Sequence, residues 1–329
     1  MDRVVDTEGK DEDGFWENRL RPPSFSEFPG QDKVKDKLNV FVEAAKKRTE
    51  PLDHILFCGP PGLGKTTLAQ IVAKELGVDC KTTSGPALDK KGELAAILTS
   101  LKPYSILFID EIHRLPRIIE EYLYSAMEDY YIDLVTGDGM GARSMKFQLA
   151  PFTLVGATTR AGLINAPMRD RFGIVERLSF YNKASLVEII LRSAGLLGVP
   201  VEPEGAQEIA KRSRGTPRVA NRLLKRVRDY AEVRGNGRVT LELAQFALNE
   251  LEVDPRGLDP MDRQILDTID KRFGGGPVGI ETLSAILSEE RETLEEVYEP
   301  FLIQEGFLLK TPRGRTITDL TRAHLASTI

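Results

Sequence analysis

The run Gly59-Pro-Pro-Gly-Leu-Gly-Lys65-Thr66-Thr67 has residue types and spacing suited to cradling a polyphosphate. It follows the pattern Gly-x4-Gly-Lys-Thr, in which glycines let backbone N–H groups wrap the phosphates. A helix starting there adds the partial positive charge of its N-terminus. Lys65 would bring a full charge to the β- and γ-phosphates, and the Thr66 hydroxyl is placed to hold Mg²⁺. The segment Ser105-Ile-Leu-Phe-Ile-Asp110-Glu111 is an apolar strand ending in two carboxylates. Asp110 would orient Mg²⁺ through water, and Glu111 would polarise the attacking water as a general base. Acidic strand ends are common; behind a phosphate loop, this one reads as the hydrolysis half of an ATP site. His113, two residues on, reads as a packing or hydrogen-bonding residue rather than a catalyst.

Three further segments add polar groups to that chemistry. Thr153-Leu-Val-Gly-Ala-Thr158-Thr159-Arg160 is an apolar strand ending in hydroxyls, and Thr158 is the residue expected to meet the γ-phosphate or the attacking water. Arg169-Asp170-Arg171-Phe172-Gly173 offers two arginines before a return to strand. An arginine inserted into a neighbouring subunit's site can neutralise charge developing on the γ-phosphate. Arg171 is the first choice for that role and Arg169 the second, with a local salt bridge through Asp170 as the plainer alternative. In Gly215-Thr216-Pro217-Arg218, Thr216 suits an N-cap and Pro217 the first helical position. Arg218 is then a cation at the positive end of a helix dipole, which a bound phosphate would make favourable.

The elements that must hold these groups follow from periodicity. Ile55–Cys58, Ile106–Ile109 and Thr153–Gly156 are short apolar strands alternating with helical segments, which argues for a parallel sheet covered by helices. Leu68–Leu76 reads as the helix after the phosphate loop, closed by Gly77, and 31–47 as an earlier amphipathic helix. The expected organisation is a polar arm over 1–24 and an α/β ATPase domain over 25–182 with a protruding β-hairpin at 130–150. An all-helical lid over 183–254 and a C-terminal winged helix over 255–329 complete it. Asp254 to Pro260 reads as the linker.

Composition narrows the class. The chain has 329 residues, 29% charged and 41% hydrophobic, a net charge of −5, two cysteines and three histidines. That is a globular profile without a disulfide framework, in keeping with a reducing cytoplasm. The opening residues are unlike a signal peptide, no apolar run approaches membrane-spanning length, and no His/Cys cluster suggests structural zinc. A protein this acidic can hold DNA only through a local basic patch. Lys310, Arg313 and Arg315 form such a patch on a predicted hairpin around Thr311-Pro-Arg-Gly, the wing. The stretch 211–238 carries ten Lys or Arg against two acids, at a spacing that suits a solvated helix face. In the hairpin at 130–150, Ile132, Leu134, Met145 and Phe147 alternate at strand period around a glycine-rich tip, which suits docking of another protein.

Taken together, the phosphate loop, the Asp-Glu strand, the threonine strand and the arginine of the helical lid resemble the AAA+ ATPases. The likeness is most specific to the bacterial branch-migration motors that act on Holliday junctions. It runs from Arg19-Leu-Arg-Pro through Arg214-Gly-Thr-Pro-Arg218 to Thr311-Pro-Arg-Gly-Arg315 and covers residues 19 to 325. The resemblance implies ATP and Mg²⁺ as cofactors. Leu20 and Arg21 would line the adenine and ribose side, with Tyr181 near the base. Gly62, Gly64, Lys65, Thr66 and Thr67 would hold phosphates and metal, and Glu128, Asp129 and Tyr130 would lie near the nucleotide at a subunit boundary. Arg171 would be the finger donated to the next subunit of a homo-hexamer. Duplex DNA at four-way junctions would meet Arg291, Lys310, Arg313 and Arg315. A junction-recognition protein would dock on the hairpin, and a junction resolvase would be a further partner. Lys310 stands where the resemblance leads one to expect arginine, and residues 1–17 have no counterpart. The rival readings are a clamp-loader or initiator ATPase using the same site as a switch and, more distantly, a protein unfoldase.

Overall fold

The computed structural model describes residues 19–136 and 143–327. Contacts group the described residues into two compact units, 21–59 with 64–179, and 19–20, 60–63 and 180–327. The tip of the hairpin and most of the N-terminal arm lie outside the described residues.

The first unit is built on a five-stranded parallel sheet of β1 (Ile55–Cys58), β2 (Cys80–Ser84), β3 (Ile106–Asp110), β6 (Thr153–Thr158) and β7 (Ile174–Arg177), in the order β2-β3-β6-β1-β7. Strands β1 and β6 are buried along their whole length, as expected for a sheet covered on both faces. Helices α1 (Asp32–Arg48), α2 (Lys65–Leu76), α3 (Lys91–Thr99), α4 (Arg117–Glu128) and the short α5 (Ala166–Arg169) belong to this unit. Leu107, Ile109, Leu123, Ile119 and Phe172 share one core cluster, each contributing about 1.5–3 kcal/mol of apolar burial. β2, with the polar sequence Cys-Lys-Thr-Thr-Ser, was not expected from sequence. It lies at the sheet edge and is nowhere fully buried, so it needs no apolar run. The expected hairpin forms from β4 (Tyr131–Thr136) and β5 (Arg143–Gln148), with Ile132 opposite Phe147 and Leu134 opposite Met145. His54 stitches the sheet to α4, because its Nδ1 accepts the Leu154 N–H at 2.9 Å and its Nε2 faces the Met127 carbonyl at 3.0 Å. Burial holds its pKa below the usual histidine value, the hydrogen bond to Met127 opposing.

In the second unit, residues 183–250 are the all-helical segment that periodicity predicts: α6 (Lys183–Leu197), α7 (Pro203–Lys211), α8 (Pro217–Arg234) and α9 (Leu241–Glu250). After them come α10 (Pro260–Phe273), α11 (Ile280–Leu287) and α12 (Arg291–Thr293), then a π-helical turn at Leu294–Tyr298 and α13 (Glu299–Gln304). Strands β8 (Leu308–Thr311) and β9 (Gly314–Ile317) pair antiparallel as the wing, and α14 (Asp319–Ser327) follows. Leu266, Ile269, Leu283, Tyr298, Leu302 and Phe307 belong to this winged-helix core. The linker is an ordered turn: Asp254 Oδ1 accepts the N–H groups of Arg256 and Leu258, and Asp254 Oδ2 meets His324 Nε2 at 2.7 Å.

The helical lid and the winged helix therefore fall into one unit rather than two, and a buried charge cluster lies between them. Asp259 and Asp262 form a reciprocal capping box on α10, and both carboxylates face Arg214. Burial, aided by Asp259 and opposed by Arg214, raises the Asp262 pKa from 3.8 to about 8. Desolvation outweighs the attraction of the single arginine, and the second acid adds to the upward shift. The folded protein thus binds this proton more tightly than the unfolded chain does. Its contribution to stability is fully present below the unfolded value and falls as pH climbs toward the folded one. We expect wild-type protein to lose more stability between about pH 5 and about pH 8 than Asp262→Asn does. Urea midpoints of the two proteins at those two pH values check this; equal losses would contradict it.

Candidate functional site

A parallel sheet brings the C-terminal ends of β1, β6 and β3 to one edge, and the chain spends those ends on polar groups. β1 runs into the phosphate loop at Gly59, whose N–H donates to the Thr158 carbonyl at 3.1 Å, so the loop starts beside the tip of β6. Gly59 has φ +143°, and a Cβ there would stand 2.7 Å from the Leu178 carbonyl oxygen, so only glycine fits. Gly64, at φ +95°, caps α2, whose first turn carries no acidic residue that would oppose an anion. Lys65 is buried, and its Nζ donates to the Gly59 carbonyl at 2.7 Å, which folds the side chain over the loop. Thr66 and Thr67 follow, both half-buried.

Asp110 ends β3, and its Oδ1 accepts the Glu111 N–H at 2.9 Å. Glu111 then takes a left-handed conformation, φ +47°, that turns the chain out of the strand. Its Oε2 accepts the Thr159 hydroxyl at 3.2 Å and lies 3.2 Å from His113 Nδ1. The same His113 Nδ1 is 3.0 Å from the Thr158 hydroxyl, which also accepts the Arg160 N–H at 2.9 Å. Thr158 is 0% exposed whereas Thr159 is half-buried. The structure separates the pair: the Thr159 hydroxyl meets the Glu111 carboxylate, whereas Thr158 is an interior residue whose hydroxyl meets His113. Thr158 is the last residue of the fully buried β6 and Thr159 lies just beyond it, and the sequence Thr-Thr does not say where the strand ends. His113 is the hydrogen-bonding residue expected from sequence, and Thr159 is the neighbour of the Glu111 carboxylate that sequence reasoning passed over.

No group of three or more His, Cys, Asp or Glu that could hold a metal unaided occurs among the described residues. That suits Mg²⁺, which binds through one or two protein oxygens, water and substrate phosphates. Thr66 and Asp110 fit that donor set. When bound, the metal would supply positive charge against the phosphates.

Arg171 donates from Nη1 to the Pro167 carbonyl at 2.6 Å, pairs through Nη2 with Glu128 at 3.0 Å, and lies 4.2 Å over the Tyr124 ring. Its partner is Glu128 and not Asp170. Arg169 instead spends Nη2 on the carbonyls of Ala161 and Ile164, at 2.8 and 3.2 Å. Both arginines are thus engaged within the chain, Arg169 by backbone carbonyls and Arg171 by a carbonyl and a carboxylate. Asp129 closes α4 and Tyr130 opens the hairpin, so Glu128, Asp129 and Tyr130 adjoin the segment that holds Arg171.

In the other unit, residues 60–63 of the phosphate loop pack with the helical segment. The Tyr181 hydroxyl donates to the Leu63 carbonyl at 3.1 Å, so Tyr181 clamps the loop. The Arg218 N–H reaches the Gly62 carbonyl at 3.4 Å. Thr216 is the N-cap of α8, as expected, with its hydroxyl accepting the Val219 N–H. Leu20 is buried, and its carbonyl accepts Arg192 Nη1 at 2.7 Å, a tie not foreseen from sequence. Arg21, half-buried, belongs to the sheet unit.

Three family models cover the chain end to end: the Holliday junction DNA helicase RuvB P-loop domain over residues 20–178, the RuvB AAA lid domain over 181–254, and the RuvB C-terminal winged helix domain over 255–326. The chain belongs to the RuvB family. It is 67% identical over 323 residues to the Holliday junction branch migration complex subunit RuvB of Bdellovibrio bacteriovorus, covering 98% of each chain. It resembles the solved Thermotoga maritima RuvB Holliday junction branch migration motor at 51% identity and TM-score 0.85, over 94% of this chain and 98% of that one. A point variant of the same Thermotoga protein matches at 52% identity and TM-score 0.87, over 93% and 98%. Membership in the RuvB family makes the chain a P-loop ATPase of the AAA+ type.

The family's winged helix is placed here as expected, but its cations are not all available. Arg315 is only 6% exposed; it pairs with Glu299 and with Glu295 at 2.8 Å. Lys310 meets Glu295 at 3.1 Å, and Arg291 meets Glu281 at 2.8 Å and Glu295 at 3.2 Å. Burial alone would push the Glu295 pKa up, yet hydrogen bonds from Lys310, Arg291 and Arg315 overcome it and bring the value to about 2. The expectation that Arg315 faces DNA is corrected: β9 turns it under the wing, where two carboxylates hold it. Arg313, at the turn, is exposed and has no ion pair among the described residues. The hairpin also needs one correction. Ile132 is fully buried in the sheet unit's core and is not available for docking, whereas Met145 is 62% and Phe147 43% exposed. The Leu134 side chain lies outside the described residues.

Four outcomes follow from this geometry. Glu111→Gln should lower ATP turnover by at least about 10²-fold with nucleotide binding retained, and Thr159→Val should lower it with an unchanged melting temperature. Steady-state kinetics beside nucleotide titration check both; normal turnover in Glu111→Gln would remove the general-base assignment. Arg313→Ala should weaken duplex binding and reduce the salt dependence of log K by about one ion's worth. Arg315→Ala should instead lower the melting temperature, the reverse pattern being the contrary result.

Proposed function

We propose that the protein is the ATP-driven motor of a branch-migration complex, a ring that pulls duplex DNA through a four-way junction in recombination and repair. The match of all three family domains along the whole chain carries this reading. Mg²⁺-ATP is held by the phosphate loop, with Lys65 and Thr66 on the phosphates and Asp110 on the metal's water. Glu111 activates the attacking water, with Thr159 and His113 fixing its carboxylate. Arg218, whose backbone already meets Gly62, supplies a lid cation to the phosphates. Arg171 serves the neighbouring subunit; in support, its guanidinium pairs with Glu128, a largely exposed residue. A homo-hexamer provides that neighbour. Duplex DNA is met through the wing at Arg313, with Lys310 and Arg291 joining when phosphates displace their carboxylates. The junction-recognition protein RuvA docks on Met145 and Phe147, and the resolvase RuvC is a further partner. No described helix is long and apolar enough to cross a membrane, and a cytoplasmic location agrees with action on DNA.

The test is migration of a synthetic four-way junction with ATP, with and without RuvA. We expect ATP-dependent strand exchange that RuvA stimulates and that Met145→Glu with Phe147→Glu makes insensitive to RuvA while basal ATP turnover persists. Lys65→Ala and Arg171→Ala chains should each be inactive, and co-assembled mixtures should regain part of the turnover, since each seam needs one intact copy of each residue. Co-assembled mixtures without any recovery would exclude the shared site. ATP hydrolysis gated by DNA with no movement of the junction would favour the clamp-loader reading.

A further inference from the structure

The mechanism above makes no use of Arg214, the residue four positions before Arg218. It is buried, and its backbone is left-handed at φ +55°, a conformation disfavoured for any residue with a Cβ. Such a backbone persists only where its surroundings over-determine it. Here the surroundings belong to the winged helix. Nη1 and Nη2 of Arg214 grip the Asp262 carboxylate at 2.9 and 3.3 Å, and Nη1 also reaches Asp259 Oδ2 at 3.4 Å. Nη2 donates to the Val297 carbonyl at 3.4 Å as well, and the guanidinium lies 4.4 Å over the Phe301 ring. Asp259 and Asp262 are the capping box that starts α10, and Val297 and Phe301 lie on the helix running into the wing. One side chain thus grips the winged helix at two separate elements.

The other end of this contact is the phosphate loop. Directly after Arg214, Gly215 accepts the Tyr181 N–H at 2.8 Å, and Tyr181 holds the Leu63 carbonyl. Three residues further, the Arg218 N–H meets Gly62. Pro60, Gly62, Val297 and Phe301 also line a common cleft. A phosphate-loop carbonyl and the capping box that starts α10 are therefore joined through the short segment Arg214–Arg218, beside that cleft.

We infer that Arg214 is a positioning residue that transmits the state of the phosphate loop to the winged helix, by holding the Asp259–Asp262 capping box in fixed register with the Gly215–Arg218 turn. This rests on the reading of the protein as an ATP-driven DNA motor. A planar guanidinium gripping a carboxylate through two N–H groups fixes distance and angle together, which a lysine ammonium does not. Without the grip, ATP is still bound and cleaved and DNA is still bound, but the two events lose their mechanical link.

The experiment compares full-length wild-type protein with Arg214→Lys and Asp262→Asn. It measures ATP turnover without DNA, duplex binding, junction migration per ATP consumed, and trypsin cleavage after the exposed linker residue Arg256. We expect unchanged basal turnover and duplex binding in both variants, migration per ATP reduced roughly tenfold, and faster cleavage after Arg256. Wild-type migration per ATP in Arg214→Lys would overturn the inference. So would an equal fall in basal turnover and migration, which is the mark of general destabilisation. Should wild-type protein itself hydrolyse ATP without moving the junction, the motor reading falls and this inference with it; wild-type migration beside an equally efficient Arg214→Lys defeats the inference alone.

Discussion

The chemistry of this chain depends on one constraint, that parallel strands all end at the same edge of their sheet. Because β1 lies between β6 and β7, with β3 beyond β6, the phosphate loop, the threonine pair and the two carboxylates emerge within hydrogen-bonding reach of one another. Helices supply the crossovers that keep strands parallel, and they bury the interior strands β1 and β6 along their whole length. Interior strands such as β3 can then be uniformly apolar up to Ile109 and turn acidic at the next residue. The left-handed Glu111 lets a carboxylate leave that dry strand and meet Thr159 and His113.

A second constraint acts on the phosphate loop itself. Its two ends belong with the sheet, whereas residues 60–63 pack with the helical segment through Tyr181 and Arg218. A loop shared in this way cannot change shape around a ligand without a response from the residues that hold its middle. Gly62 carries much of this burden. Its φ of +78° and the 3.0 Å between its notional Cβ and the Arg218 Cβ leave little room for a side chain. The residue that eases phosphate wrapping thus also lets α8 approach the loop.

The strong signals in the sequence were those in which one residue type has few other uses. Glycines at left-handed positions, a lysine behind them and carboxylates ending an apolar run all stood where expected. What escaped were choices between neighbours. Thr158 and Thr159 share a type, and the point at which the buried strand ends decides which is interior. Ile132 alternates properly with Leu134, yet the root of the hairpin is anchored in the core, so the same pattern is buried at its base and exposed toward Met145. β2 was invisible because an edge strand need not be apolar. Arginines were the least legible. The basic stretch 211–238 reads as a solvated face, and most of it is, but Arg212 and Arg214 are interior.

Those interior arginines have a shared pattern. Arg212 is held by Glu208, the Asn249 side chain and the Val253 carbonyl, Arg214 by two aspartates and a carbonyl, and Arg315 by two glutamates. A buried ion pair is a poor source of net stability, since desolvation offsets most of its attraction, but removing one partner costs about 3–5 kcal/mol. Such pairs are steep in geometry rather than deep in energy. Apolar side chains packed across the same gap would let two helices slide by a fraction of a turn at little cost, whereas a forked guanidinium between carboxylates admits one register. Arg212 ties α7 to the end of α9 and the linker, Arg214 ties the start of α8 to α10, and Arg315 ties the wing to the helix beneath it. In sequence they lie between the lid and the wing, and each ties neighbouring elements through charge. A part that must convey a small displacement over several helices needs that kind of stiffness more than it needs added stability.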